Sequence, residues 1–593
     1  MSVQNPPPDP TSPPPTSLSA VLRLLPFLKP YRKPVILGML CLLGQIAAEL
    51  FPPLVWKYVV DTFLETRDLS QLGWAVVALL VAYAANAAFS GFRTFQLTRA
   101  AQGLVLDLRK AVYSRLQQQP LAYFQSRRTG DLLSRAVNDV DIVQDVLVSG
   151  ADNVLASLLR IVGVAFIFIT LQPILGMATI FPMFLVGLAL GKYNRRVKGI
   201  YRRVRGQLGE VTAKLQDNLG GISVIKSFAR EEHEEEEFAQ TARAYYNISV
   251  EGIALRSRFY PSVRFVANLG QVIMLGLGAY LIYLGSFTIG GLVAYRGYGR
   301  YFYGPIDQLM NINEMLQRAA AGAERILEVL DTEPTVQDAP DAVEMPRIHG
   351  DVTFRQVSFA YRPDQRILEE VDFEIPAGST VGVFGGSGVG KTTLLNLIPR
   401  FYDPIEGAVL IDGIDLRGVT QNSIRRQIGV VQQDTFLFNG TVLDNIRYGW
   451  LDATDEQVIE AAQMANADSF IQGLPDGYLT EIGERGAKLS GGQRQRVSIA
   501  RCFLADPRIL LMDEPTSAVE PESERLILES LRNLSKGRTS FLVSHRLSML
   551  RQADIILCLE NGRLAARGKH EELISRYIPY AESWATQAGL EVG

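Results

Sequence analysis

Apolar runs alternate with polar, basic stretches over about the first 320 residues. Beyond that point no apolar run reaches the roughly 20 residues needed to cross a bilayer. Six candidate spans lie at about 35–57, 73–95, 149–170, 173–191, 262–284 and 287–310. Long polar helical stretches separate the second span from the third and the fourth from the fifth. The turn after the third is little more than Leu171–Gln172–Pro173, and the turn after the fifth is Gly285–Ser286. From Arg93 to Pro120 a continuous helix would extend about 40 Å, so the spans are predicted to run on past the bilayer as stalks. At the stalk tips sit Phe124–Leu132, where Gly130 permits a turn, and Asn218–Lys226. Taken alone, these tips read equally well as ordinary helix-turn-helix corners. Paired prolines at Pro52–Pro53 predict a kink in the first span.

Charge orients this half. Lys192, Arg195, Arg196, Lys198, Arg202, Arg203 and Arg205 crowd one long connection, whereas the short turns carry almost no Lys or Arg. The positive-inside rule then puts the long connections, both termini and the second half of the chain in the cytoplasm. Ser17–Lys33 mixes Leu22, Leu24, Leu25 and Phe27 with Arg23, Lys29 and Arg32, and is predicted to be an interfacial helix. Residues 1–16 are Pro-rich and are expected to form a disordered tail, with no cleavable signal peptide visible. Pro334, Pro340 and Pro346 mark a linker over 331–350. That leaves a membrane domain over 17–330 and a second domain over 351–593. Of the 593 residues, 47% are hydrophobic and 20% charged, which excludes a disordered chain or a small disulfide scaffold. The net charge of −3 gives no reason to expect a nucleic-acid partner. Cys41, Cys502 and Cys558 are too few and too scattered for a zinc site.

The chemistry is concentrated in the second half. Gly385-Gly386-Ser387-Gly388-Val389-Gly390-Lys391-Thr392 follows the apolar run Thr380–Phe384 and opens the apolar helix Thr393–Ile398. This is a phosphate loop in its strand–loop–helix setting. Backbone N–H groups and the helix N-terminus cradle phosphate oxygens. Lys391 supplies a point charge at the β/γ phosphates, and the Thr392 hydroxyl can ligate Mg²⁺. Ile509–Met512 reads as a buried parallel strand ending in Asp513 and Glu514. Asp513 would hold Mg²⁺ through its hydration shell, and Glu514 would be the base that polarises the attacking water. Leu489-Ser490-Gly491-Gly492-Gln493 precedes the basic helix Arg494–Leu504 and makes a second anion-binding helix start. Both helix starts could serve one nucleotide only if two copies met face to face.

The phosphate loop, Leu489–Gln493 and the Asp513–Glu514 strand, in that order, resemble the nucleotide-binding domain of the ABC transporter superfamily. Six spans with long stalks ahead of it resemble the half-transporters of the exporter type, and the likeness covers about residues 17–580. The resemblance implies an N-terminal all-α six-helix transmembrane domain with long cytoplasmic extensions. It also implies a C-terminal α/β P-loop ATPase domain with a helical subdomain. On that likeness Tyr361 stacks on adenine, and Thr393 joins the phosphate loop at the nucleotide. Gln433 senses Mg²⁺ and the attacking water, and His545 contacts the γ-phosphate and orients Glu514. Ser490 and Gly492, with Gly491 and Gln493, would meet the nucleotide bound by the other subunit. Thr480–Gly486 resembles the segment that touches the coupling helices, which would lie near 124–135 and 218–228. One departure stands out: Ser517-Ala518-Val519-Glu520 replaces the family's usual Ser-Ala-Leu-Asp.

The implied activity is ATP-driven, Mg²⁺-dependent export of lipids or amphipathic compounds by alternating access. The chain would be a multi-pass protein of the plasma (bacterial inner) membrane, working as a homodimer. Pairing with a different half-transporter, or use of the fold as a gated channel or regulator, are the alternatives. Ionisable groups inside spans mark function by default. Glu49, with Gln45 on the same face of the first span, faces three cations: Arg160 in the third, and Arg296 and Arg300 in the sixth. Three cations to one anion suit an anionic amphiphile as cargo. Internal pairing of Glu49 with an arginine, with the other arginines snorkelling, is the competing arrangement. Tyr295, Tyr298, Tyr301 and Tyr303 suit either stacking on aromatic drugs or an interface belt.

Overall fold

The computed structural model describes residues 18–63, 69–127, 129–362, 364–516 and 520–588; the Pro-rich tail at 1–16 and Ser517–Val519 lie outside them. The chain divides into two compact units, Met1–Gln117 with Gly130–Thr332, and Gln118–Thr129 with Glu333–Gly593.

Helices joined by short turns, with no strand, make up the described residues of the first unit. Arg32–Leu50 runs to Phe51 and restarts as Pro52–Tyr58, so the chain breaks where the paired prolines deny backbone donors. Three helices are far longer than a bilayer requires: Leu69–Gln117 with 49 residues, Pro173–Gly220 with 48 and Glu231–Tyr283 with 53. At 1.5 Å per residue each runs roughly 70–80 Å. Among the described residues, four helical runs are long and apolar enough to cross a membrane: Ser19–Thr62, Ser70–Gln117, Thr129–Leu171 and Glu231–Tyr283. The fourth predicted span appears as the shorter apolar stretch Pro173–Ala189, and the sixth falls on Ile289–Tyr303, which carries Arg296 and Arg300. Large apolar side chains such as Trp74, Leu80, Phe166 and Met177 lie exposed along these helices, as expected where hydrocarbon rather than water is the solvent. Inside, Phe168, Tyr295, Tyr298 and Phe302 are buried in one cluster, and Leu24, Leu104, Leu108 and Ile326 in another.

The second unit is built on two sheets. One holds β1 (Val352–Arg362), β2 (Gln365–Ile375), β4 (Glu406–Ile411) and β5 (Ile414–Asp415) in the antiparallel order β2-β1-β4-β5. The other holds β3 (Thr380–Phe384), β6 (Ile428–Val431), β7 (Ile509–Asp513), β8 (Thr539–Val543), β9 (Ile555–Glu560) and β10 (Arg563–Gly568). Its order is β10-β9-β3-β8-β7-β6, parallel except for β10. Continuous apolar strands such as Ile509–Met512 are covered on both faces, which is what such runs require. A helical layer containing Val442–Arg447, Asp455–Met464 and Asp468–Gln472 is started by reciprocal capping boxes at Thr441 and Thr454.

This division departs from the linear reading in two places. Gln118–Thr129, at the first stalk tip, belongs with the second unit because Leu121 and Ala122 pack on its hydrophobic core. Met345 and Ile348, within the predicted linker, are buried in that same core, so the linker's latter part is folded.

Candidate nucleotide site and membrane cavity

Sheet order decides where the nucleotide chemistry sits. β3, β8, β7 and β6 are consecutive neighbours, so the loops leaving their C-terminal ends gather along one edge, the usual ligand side of a parallel sheet. From β3 comes the phosphate loop, from β8 His545, from β7 Asp513 and Glu514, and from β6 Gln433.

The contacts tie these residues together. Gly390, at φ +102°, turns the loop into the helix Lys391–Leu397, a backbone shape that favours glycine. Lys391 Nζ donates to the carbonyls of Gly385 (2.9 Å) and Gly386 (2.7 Å). Burial holds the lysine below its ordinary pKa, opposed by Glu514 and Asp513. Thr392 Oγ1 donates to Asp513 Oδ2 at 2.8 Å, and burial raises the Asp513 carboxyl against that bond. Glu514 Oε1 lies 2.8 Å from His545 Nε2, and Gln433 Nε2 lies 3.4 Å from Glu514 Oε2. Glu514 itself has a left-handed backbone (φ +46°), held by its N–H to the Val543 carbonyl at 2.9 Å. Such conformations cost of order 1–3 kcal/mol and cluster at functional sites.

On the other side of the loop the Tyr361 and Thr393 hydroxyls are 3.0 Å apart, and 46% of Tyr361 is exposed, leaving an aromatic surface beside the phosphate-loop helix. Its ring meets Tyr402 edge-on at 5.2 Å, and Tyr402 donates to Gln125 Oε1 at 2.9 Å. Sequence reading singled out neither Tyr402 nor Gln125, because nothing local links residues 277 apart. Ser490 and Gln493 instead cap their own helix, Gly491–Ala505, in a capping box: Ser490 N–H reaches Gln493 Oε1 at 2.9 Å. Glu520 stands in extended backbone just before the helix Pro521–Ser535.

The predicted membrane-cavity residues separate into two places. Arg160 Nε donates to Glu49 Oε2 at 3.0 Å, and both side chains are about one-fifth exposed (20% and 18%). Arg296 and Arg300 instead line a cavity of about 480 Å³ with Arg264, Asn268 and Gln271 from the neighbouring long helix. Arg264, Asn268 and Gln271 escaped the sequence reading, although their i, i+4, i+7 spacing on an apolar span is a legible polar stripe. An ion pair that the sequence reading did not anticipate is Arg93–Asp152 at 3.7 Å. Three of the four tyrosines are neither a drug-stacking platform nor a belt, since Tyr295, Tyr298 and Tyr303 are buried, and Tyr301 is half-buried beside them. The hydroxyls of the buried three donate to the carbonyls of Gln172 (3.0 Å), Leu50 (2.6 Å) and Thr179 (2.6 Å), which locks them into the helix packing.

Residues 35–306 match the ABC transporter transmembrane region family and residues 368–517 the ABC transporter family. The chain is 36% identical over 562 residues to the ATP-dependent lipid A-core flippase of Syntrophus aciditrophicus (strain SB), across 94% of this chain and 93% of that protein. It belongs to the ABC transporter superfamily. A Bacillus subtilis (strain 168) ATP-binding/permease protein, named provisionally for multidrug export, is 35% identical over 577 residues, covering 96% of this chain and all of that one. The solved structure of a bacterial Atm1-family ABC exporter with ATP bound superposes with a TM-score of 0.80 at 33% identity, over 95% of this chain and 99% of that one. This half-transporter is therefore an ATP-binding and ATP-hydrolysing membrane exporter that dimerises with another half-transporter.

Proposed function

We propose that two copies of this chain form the exporter, and that its cargo is an anionic amphiphile, a lipid or an acidic hydrophobic compound. The observation that carries the cargo class is the cavity bordered by Arg296 and Arg300, with no acidic residue among its described lining. Arginine facing lipid is costly and cannot be relieved by deprotonation, so this face must border water, a partner helix or an anion. Glu49 is engaged by Arg160 at 3.0 Å and is not among the residues that line that cavity.

Hydrolysis follows from the nucleotide-site contacts. Lys391 leaves the loop carbonyls to meet the β/γ phosphates, and Glu514 accepts a proton from the attacking water. His545 holds the Glu514 carboxylate in place and donates toward the γ-phosphate. The paired hydroxyl and carboxylate of Thr392 and Asp513, with the Gln433 carboxamide, are hard oxygen donors that suit Mg²⁺. When bound, Mg²⁺ would neutralise phosphate charge. Ser490 and Gly492, at the helix start that their capping box pre-forms, would close on the partner's nucleotide. Intact Glu514, His545 and Leu489–Gln493 in one chain support the homodimer, and the apolar runs with their basic long connections support six spans with cytoplasmic ATPase domains in the bacterial inner membrane. ATP drives the cycle by binding the closed dimer better than the open one.

The test is ATPase activity of the purified chain in lipid, beside Glu514→Gln, while anionic and cationic amphiphiles are titrated. Basal activity abolished by the substitution and stimulated selectively by anions is the expected result. Arg296→Gln/Arg300→Gln should remove the stimulation while basal turnover stays. Stimulation by cationic amphiphiles alone would overturn the cargo class, and an inactive but folded protein would overturn the homodimer.

A further inference from the structure

A second cavity, of about 480 Å³, opens in the ATPase unit between the helix Pro521–Ser535, the short helix Leu547–Leu550 and the sheet. Met512, Leu531, Leu542 and Met549 line it, and the exposed side chains of Arg532 and Lys536 stand at its mouth. No acidic residue is among its described lining. An apolar interior of this size with a few convergent polar groups is the usual form of a small-molecule site.

What makes the cavity more than a surface dent is the other side of its wall. Met512 immediately precedes Asp513, and Leu542 precedes Val543, whose carbonyl fixes the strained Glu514 backbone. Met549 Sδ accepts from Thr516 Oγ1 at 3.6 Å and from Ser544 Oγ at 3.5 Å. Thr516 lies two residues after Glu514, and Ser544 directly precedes His545. One flexible thioether thus touches both segments that position the Glu514–His545 pair. In addition, the Ser540 hydroxyl is fully buried without a hydrogen-bond partner, two residues before Leu542 and so on the same face of β8.

We propose that this cavity is an allosteric site for a small amphipathic anion, an aromatic or short alkyl carboxylate, whose occupancy changes the rate of ATP hydrolysis. The apolar body fills the space against Met512, Leu542 and Met549, and the carboxylate meets Arg532 and Lys536. Moving the Met549 sulfur alters its contacts with Thr516 and Ser544, and through them the separation of Glu514 and His545. The effect therefore falls on turnover rather than on nucleotide affinity, since neither Tyr361 nor the phosphate loop is engaged. This site is independent of which cargo the membrane cavity takes.

The experiment uses the full chain carrying Arg296→Gln/Arg300→Gln, which removes stimulation through the membrane cavity, in phosphatidylcholine nanodiscs with 2-naphthoate as the probe, reading kcat and KM for ATP. Saturating 2-naphthoate should change kcat several-fold with little change in KM. The response should be lost in Arg532→Glu/Lys536→Glu and weakened in Arg532→Gln/Lys536→Gln, both of which substitute exposed rim residues and keep basal kcat. An unchanged kcat at millimolar probe would overturn the proposal. So would a response that survives in both rim variants, or binding with a kcat that does not move. The glutamine pair decides the matter if the charge reversal disturbs folding.

Discussion

Glu49 and Arg160 lie in two membrane helices, 3.0 Å apart and each about one-fifth exposed (18% and 20%). Removing one member of a fully buried pair costs about 3–5 kcal/mol, because the survivor is left charged and poorly solvated. With a fifth of each side chain accessible here, Glu49→Gln or Arg160→Met should each cost about 2–3 kcal/mol. Replacing both by methionine restores apolar packing and should bring the loss back to about 1 kcal/mol or less. Thermal unfolding in detergent reads this directly, at about 1–2 °C per kcal/mol for a unit this large. Each single variant should therefore melt below the parent and the double variant close to it, a strong coupling in a double-mutant cycle. If the double variant is as unstable as the worse single, the pair is not a self-contained unit and the reasoning fails. If neither single shifts the melting point but the double loses stimulation by anionic amphiphiles, the pair serves cargo instead.

Three other substitutions probe the ATPase unit. Tyr402→Phe deletes the bond to Gln125 but keeps the ring against Tyr361, so a loss of about 0.5–1.5 kcal/mol should appear as weaker cargo stimulation with basal ATPase retained. An unaltered ratio of stimulated to basal rate would count against this link. Gly385→Ala puts a Cβ 2.6 Å from the Leu559 carbonyl oxygen, so the loop must shift and KM for ATP should rise several-fold, measurable by steady-state kinetics. His570 is buried against Tyr580, with Nδ1 2.8 Å from the hydroxyl, and burial lowers its pKa from 6.5. The unfolded chain then binds more protons, so stability is complete above pH 6.5 and falls as pH drops toward the depressed folded value. His570→Gln should flatten the melting temperature across that acidic window, and an unchanged slope would refute the assignment.

The phosphate loop and the carboxylate pair are readable in the sequence because each motif is local. A phosphate loop needs glycines where the backbone turns, a lysine and a hydroxyl within one short string. A carboxylate pair is signalled by the apolar strand that precedes it. The stalks were legible in the same way, since the long helices simply continue the polar stretches beyond the apolar runs. The polar stripe Arg264, Asn268 and Gln271 was readable too, but its helical spacing was overlooked beside the more conspicuous Arg296 and Arg300. By contrast, four tyrosines on one helix carry no mark of which carbonyl each will meet. Three of them belong to the core, where their hydroxyls close helix-to-helix hydrogen bonds.

By itself, the sequence determined that this is a membrane helix domain joined to an ABC-type ATPase, and where along the chain its phosphate-loop and carboxylate motifs fall. Those features depend on spacing along one strand, loop or helix, which the order of residues contains. Tertiary structure alone decided that Arg160 belongs to Glu49, that Arg264 joins Arg296 and Arg300, and that the first stalk tip meets Tyr402 beside the Tyr361 ring. These are choices among partners far apart in the chain. They are set by which helix faces pack, and a charge or hydroxyl in a sequence does not say which opposite group will lie within reach.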